Sequence, residues 1–214
     1  MLRIVLRKLC SHLSNRVSSN IQVLVGIDEA GRGPLAGPVV AGAVALNARV
    51  PIEGLADSKR LTFRKRDRLF DEIERSALAY GVGLADAREI DVHNILQASL
   101  LAMRRAYEAT ALNADEVWVD GDKDPGVSAP TFTLVGGDAK MPAISAASIL
   151  AKVTRDRMMV EYDATYPQYG FDRHKGYPTA LHLARLREHG PCPIHRLSFG
   201  PVREVRYSLF GSMT

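Results

Sequence analysis

Cysteine is nearly absent. The 214 residues hold two, Cys10 and Cys192, too few for a disulfide framework, and this usage points to a reducing compartment, the cytoplasm. No run of about 20 apolar residues occurs, which excludes a membrane-spanning helix. There is no internal repeat, low-complexity tract or long linker, so the chain reads as one sizeable domain. Acid is missing from the first 20 residues, where Arg3, Arg7, Lys8 and Arg16 stand without a counter-charge. An organelle presequence has this composition. A basic tail over 1–21, outside the core, is the simpler reading, with the domain itself at 22–207 and a short tail at 208–214.

The bulk composition is ordinary. A hydrophobic fraction of 46% suits a globular domain, and a net charge of +4 with a pI near 9.2 suits a polyanionic partner without demanding one. Apolar runs bounded by Gly and Pro predict strands over Val23–Asp28, Val39–Leu46, Ala79–Ala85, Glu116–Asp120 and Thr131–Val135. Helical spacing predicts helices from a Thr62 cap to about Ala77, from Asn94 to Leu112, from Pro142 to Thr165, and from Thr179 to just before Gly190. Strands first, then strands alternating with helices, predict an α/β fold with helices on the faces of a mixed sheet.

The densest chemistry lies in Val23–Ala43, VLVGIDEAGRGPLAGPVVAGA. Its first apolar run closes on two adjacent carboxylates, Asp28 and Glu29, and Gly31-Arg32-Gly33 follows. Carboxylates at the end of a buried strand are costly unless a cation or hydrogen bonds compensate them, and hard divalent cations take such oxygen ligands. Consecutive strand residues point to opposite faces, so the strand is expected to end or bend here if both acids serve one site. Asp120 closes a second apolar strand, Val117-Trp118-Val119, in the same way, and is preferred to its neighbours Asp122 and Asp124. Asp138 precedes the Pro142 helix, whose N-terminus favours negative charge. The Gly-Arg-Gly turn lets another backbone approach closely and offers a guanidinium suited to phosphate. A metal site beside a phosphate-reading turn is a nuclease-like arrangement.

On the third predicted helix, Ser145, Ser148, Lys152 and Arg155 recur at spacings of three, four and three and share one face. That face is expected to turn toward a phosphate backbone. Arg173, His174 and Lys175 lead into Gly176-Tyr177-Pro178, where a ring can pack on a sugar or base. Other motifs fail. Asp120–Thr131 opens like a calcium loop but has Pro125 and Thr131 where Gly and Glu are needed. A dinucleotide fingerprint would misplace its third glycine at Gly37. Cys192, His189 and His195 lack a second cysteine pair for zinc.

These blocks resemble the type 2 ribonucleases H, specifically bacterial ribonuclease HII. The resemblance rests on GIDEAGRGPLAGPVVAGAV from Gly26, Asp57-Ser58-Lys59, the VDG at Val119, GDAK at Gly137, ISAASILAKVTRDR at Ile144, YGFDRHKGYPT at Tyr169 and HRLSFGPV at His195, in family order over roughly Val23–Val205. It implies a ribonuclease H-like mixed sheet flanked by helices, with a helical C-terminal extension. It implies an endonuclease that cuts the RNA strand of RNA–DNA hybrids and incises 5′ to ribonucleotides embedded in duplex DNA, using two Mg²⁺ or Mn²⁺ ions. Asp28, Glu29, Asp120 and Asp138 match the four catalytic, metal-holding acids, with Asp28 bridging both ions, Glu29 and Asp120 supporting one, and Asp138 the other. Gly31, Arg32 and Gly33 match the group that senses the 2′-hydroxyl, the feature that separates RNA from DNA, and Tyr177 matches the junction-reading tyrosine. Lys59, Ser145, Ser148, Lys152, Arg155, His174 and Lys175 complete the expected nucleic-acid-binding set. Gly136 departs from the family, which often has Lys there, and Asp122 stands where Asn is frequent. The expected partners are nucleic acids, with no membrane, and the expected state is a monomer. One alternative is a ribonuclease HIII, which typically adds an N-terminal substrate-binding domain and differs at the Arg32 position. The other is a non-catalytic hybrid-binding subunit, against which the presence of all four acids argues.

Overall fold

The computed structural model describes residues 7–9, 22–55 and 61–210. Strands β1 (Arg7–Leu9), β2 (Leu24–Ala30), β3 (Val39–Ala45), β4 (Ala79–Ala85), β5 (Glu116–Asp120) and β6 (Thr131–Leu134) form one mixed sheet in the order β1-β4-β3-β2-β5-β6. β2, β3 and β4 are an antiparallel meander, while β5 and β6 run parallel to β2. β1 pairs antiparallel with β4, so part of the basic N-terminal segment joins the sheet edge. The helices are α1 (Phe63–Ser76), α2 (Ala87–Thr110), α3 (Pro142–Thr165), α4 (Phe171–His174), α5 (Ala180–His189) and α6 (Gly200–Phe210). The mixed α/β architecture and the helical C-terminal part are as expected. Among the described residues no helix is long and apolar enough to cross a membrane.

Strand alternation divides the core. Val39, Ala41, Ala43 and Ala45 of β3 face one way and pack with α2 through Ala98, Ala102, Met103 and Ala106. Val40 and Val44 face the other way, toward α1 and α3, with Phe70, Ile73, Ala147 and Leu150. Glycines set how closely helices approach. A Cβ on Gly26 would stand 2.2 Å from the Ala143 carbonyl carbon, and one on Gly83 would stand 2.2 Å from the Ala102 oxygen. The backbones of α3 and α2 therefore lie directly on the sheet, which brings the start of α3 beside β2.

Helix bounds follow local chemistry. Thr62 caps α1 by accepting from Lys65 N–H, and Thr179 caps α5 by accepting from His182 N–H. α2 starts earlier than the predicted Asn94, because Asp86 and Glu89 form a reciprocal capping box. Asn94 is still a helix start. It has φ 65, breaks the helix, and its side chain accepts from Leu96 and Gln97 N–H. Local sequence pattern marks no bounds for β1, α4 or α6, although the resemblance implies a helical C-terminal part, and α6 continues past residue 207.

Candidate active site

The acids converge because two strands share a register. β2 and β5 pair from Leu24↔Glu116 to Ile27↔Val119, so the next residue on each is an acid, Asp28 or Asp120. The expectation that β2 ends or bends at Asp28 needs correction. The ladder with β3 continues through Asp28↔Gly42, Glu29↔Ala41 and Ala30↔Val40. Room for the carboxylates comes instead from the loss of β5 as a neighbour after Ile27. Glu29 N–H donates to Asp28 Oδ1 at 2.7 Å, and Ser148 on α3 hydrogen-bonds the same carboxylate. Gly137 N–H donates to Asp120 Oδ1 at 2.7 Å. That bond ties the end of β5 to the 3₁₀ turn Gly137–Ala139, which carries the buried Asp138. Gly136 begins this turn at φ 67, and the Lys140 amine stands 3.9 Å from where its Cβ would be, donating to the Val135 carbonyl.

Electrostatics mark the cluster. Burial, then Glu29, then Asp120 hold the Asp28 carboxyl well above its ordinary range. Burial also raises Glu29 and Asp120 adds to the rise, against the Arg32 guanidinium, which lies 3.3 Å from Glu29 Oε1. Asp122 pairs with Lys123, and Asp124 accepts from Gly126 N–H, so both competitors of Asp120 are engaged elsewhere. Among the described residues no three acid, imidazole or thiol groups are drawn together closely enough to hold a metal ion. The donor set still fits hard divalent cations. It is all oxygen, mutually repelling and partly desolvated, so its charged form calls for a counter-charge.

The loop after β2 lies against this cluster. Arg155 donates to the carbonyls of Ala36, Pro38 and Lys175. Arg196 donates to those of Gly31, Arg32 and Gly37. Leu35 N–H donates to the Gly176 carbonyl at 2.8 Å, joining this loop to the one that carries Tyr177. The Tyr177 side chain is exposed, and its Cε1 is 3.7 Å from where a Cβ on Gly33 would stand.

Three buried histidines brace the Tyr177 loop from behind. His195 Nδ1 accepts from Cys192 N–H at 3.0 Å, which leaves its Nε2 to donate to His182 Nε2 at 3.1 Å. His182 Nδ1 then donates to the Tyr177 carbonyl at 3.0 Å. His174 stacks on His182 at 4.4 Å between centroids and bonds Tyr169 and Gly176 backbone. Burial lowers the His182 pKa to about 4 and that of His195 to about 3, so the chain is neutral. Of the zinc candidates weighed above, Cys192 lies against His195, while the His189 ring sits edge-on to Tyr169.

The expected basic face of α3 is not a solvent face. Ser145 and Ser148 are buried, and Arg155 is 1% exposed with its donors on backbone carbonyls. α3 packs against β2, β3, α1 and α4, so its polar stripe turns inward, toward Asp28 and the β2–β3 loop. Lys152 pairs with Asp156 at 2.8 Å. His174 is buried, and Lys175 turns the chain at φ 51 with its amine on the Asp172 carbonyl. Lys59 lies outside the described residues. Arg32, Gly33 and Tyr177 are thus the members of the set that stand exposed beside the acids. Arg196 and His182 carry no functional signal in the sequence and His195 only that of the rejected zinc set, although HRLSFGPV and the Thr179 helix contain them.

The ribonuclease HII family model matches residues 25–202. A ribonuclease HII of Polaromonas sp. is 60% identical over 183 residues, which span 86% of this chain and 92% of that protein. Among solved structures, ribonuclease H2 from Pyrococcus horikoshii OT3 is similar at a TM-score of 0.74 and 30% identity, covering 86% of this chain and 97% of the other. Bst-RNase HIII in complex with Mn²⁺ is similar at a TM-score of 0.69 and 16% identity, covering 87% and 70%, a likeness of fold alone. Family match, sequence identity and fold agree, and this chain belongs to the ribonuclease HII family.

Proposed function

We propose that this chain is a divalent-metal-dependent endonuclease. Its substrates are the RNA strand of RNA–DNA hybrids and duplex DNA with an embedded ribonucleotide, incised on the 5′ side, in ribonucleotide excision and RNA primer removal. The observation that supports this most is the close cluster of Asp28, Glu29 and Asp120 beside exposed Arg32, Gly33 and Tyr177. Asp28, Glu29, Asp120 and Asp138 would hold two Mg²⁺ or Mn²⁺ ions, which when bound activate water and stabilise the leaving oxygen.

The chain's own groups do the positioning. Ser148 and Glu29 N–H orient the Asp28 carboxylate, and Gly137 N–H orients that of Asp120. Arg32 balances Glu29 and leaves donors for a phosphate oxygen. The turn at Gly31, Arg32 and Gly33 senses the 2′-hydroxyl, and the Tyr177 ring packs on the deoxyribose that follows the ribonucleotide.

Asp28→Asn tests the assignment, since it removes a charge and keeps the shape. Cleavage is expected to vanish while hybrid binding, measured in chelator, persists or tightens. Normal turnover in the variant would contradict the metal-site reading. Hybrid binding by the wild type without cleavage in either metal would favour the binding-subunit alternative.

A further inference from the structure

Arg196 is fully buried, reaching the β2–β3 loop from the segment between α5 and α6. Its Nη2 donates to the Gly31 carbonyl at 2.6 Å, Nη1 to Arg32 at 2.9 Å and Nε to Gly37 at 3.0 Å. Among the described residues it makes no ion pair. A buried guanidinium without a carboxylate is expensive, and only complete hydrogen bonding makes it tolerable. Here every nitrogen is used, and two of the three bonds go to the turn beside the acids.

Peptide geometry supplies the consequence. In a trans peptide the carbonyl and the following N–H point in opposite directions, and no cis bond occurs among the described residues. Holding the Gly31 and Arg32 carbonyls inward therefore turns the N–H groups of Arg32 and Gly33 outward. Among the described residues neither N–H donates to any acceptor. Both residues are exposed, beside Glu29 on one side and the Tyr177 ring on the other. Two successive free N–H groups form a concavity for an anionic or hydroxyl oxygen.

We infer that Arg196 is a positioning residue for substrate selection, which presets the Arg32 and Gly33 N–H pair as donors to an oxygen of the ribonucleotide. Its charge adds to this, since a cation behind the loop makes the outward face more positive. Desolvation lowers its pKa only to about 9, so the charge is kept at neutral pH. The neighbouring backbone holds the segment in place. Arg196 N–H donates to the Leu35 carbonyl, and Asp91 on α2 accepts from the N–H groups of Leu197 and Ser198.

The inference rests on the ribonucleotide-reading role proposed above, and the test separates the two. Equilibrium binding in chelator compares a duplex DNA carrying one ribonucleotide with the same all-DNA duplex, for wild type and Arg196→Lys. The wild type is expected to prefer the ribonucleotide. Arg196→Lys, whose single nitrogen cannot span the positions of Nε, Nη1 and Nη2, is expected to lose about tenfold of that preference, the worth of one positioned hydrogen bond. Under turnover its KM should rise more than its kcat falls, whereas merely lowering the folded fraction would reduce kcat at constant KM. No preference in the wild type would defeat the underlying reading. A preserved preference in a folded Arg196→Lys would overturn the role of Arg196 alone. If that variant does not fold, the Gly33 amide resonance of the wild type decides. It should shift with the ribonucleotide duplex and not with the all-DNA duplex, and a resonance unmoved by either overturns the inference.

Discussion

Gly31 sits at φ +96, and a Cβ there would stand 2.0 Å from Arg155 Nε, which is itself fixed on the Pro38 carbonyl. Gly31→Ala combines a left-handed alanine with overpacking and should cost about 2–4 kcal/mol, read as a lower urea midpoint. An unchanged midpoint would mean that the loop relaxes freely. Tyr177 presents the opposite case, an exposed ring with no core to support. Tyr177→Ala should leave melting unchanged and reduce activity on single-ribonucleotide duplexes about 10- to 100-fold, the scale of one lost ring–nucleotide contact. Equal activity would contradict a junction-reading role for the ring. At this scale Asp28, Glu29 and Asp120 are conspicuous in the sequence as acids that close apolar runs, and the structure brings the three together. The sequence misled on Arg155. Helical spacing says which residues share a face, and only the packing of α3 says that this face points inward. Arg196 lay in a segment without periodicity, where burial leaves no mark.

Among the elements, α2 is the plainest case of two local signals in one helix. Asn94 breaks it and caps its second half, so Asn94→Ala should lose about 1 kcal/mol, measurable as a small drop in urea midpoint. The strong strand and helix patterns were legible, while β1, α4 and α6 were not. A three-residue strand has too little pattern to read, and a four-residue helix is defined by its contacts. The histidine chain gives the C-terminal elements a pH dependence. With folded pKa values of about 4 for His182 and about 3 for His195, against about 6.5 unfolded, the unfolded chain gains protons first. Their contribution is complete above about pH 6.5 and falls with acidification, by up to about 1.4 kcal/mol per pH unit for each histidine. Asp28 and Glu29, with raised values, act in the opposite sense by taking protons in the folded state. The comparison of wild type with His195→Asn between about pH 7 and 5 isolates the histidine part. The variant's stability should fall less steeply on acidification, and identical slopes would contradict a neutral buried chain.

For the whole molecule, a net charge of +4 is a modest electrostatic resource, and binding is expected to depend on a few phosphate contacts near Arg32 and Tyr177 more than on an extended basic face. With about three contacts, affinity should fall roughly fortyfold between about 50 and 200 mM salt, and a flat response would argue against backbone tracking. The sheet order explains why the acids meet. The parallel pair β2 and β5 brings Asp28 and Asp120 to one level with Glu29 next on β2, the turn before α3 sets Asp138 nearby, and the C-terminal segment holds the β2–β3 loop through Arg196. Neighbouring strands could not be assigned from sequence, since pairing is a property of the assembled sheet. The most direct measurement is a gel assay on duplex DNA containing one ribonucleotide, with Mg²⁺, with Mn²⁺ and with chelator. A metal-dependent nick on the 5′ side of the ribonucleotide, absent in chelator and in Asp28→Asn, is the predicted result. Cleavage confined to long hybrids, or a nick that persists in chelator, would contradict it.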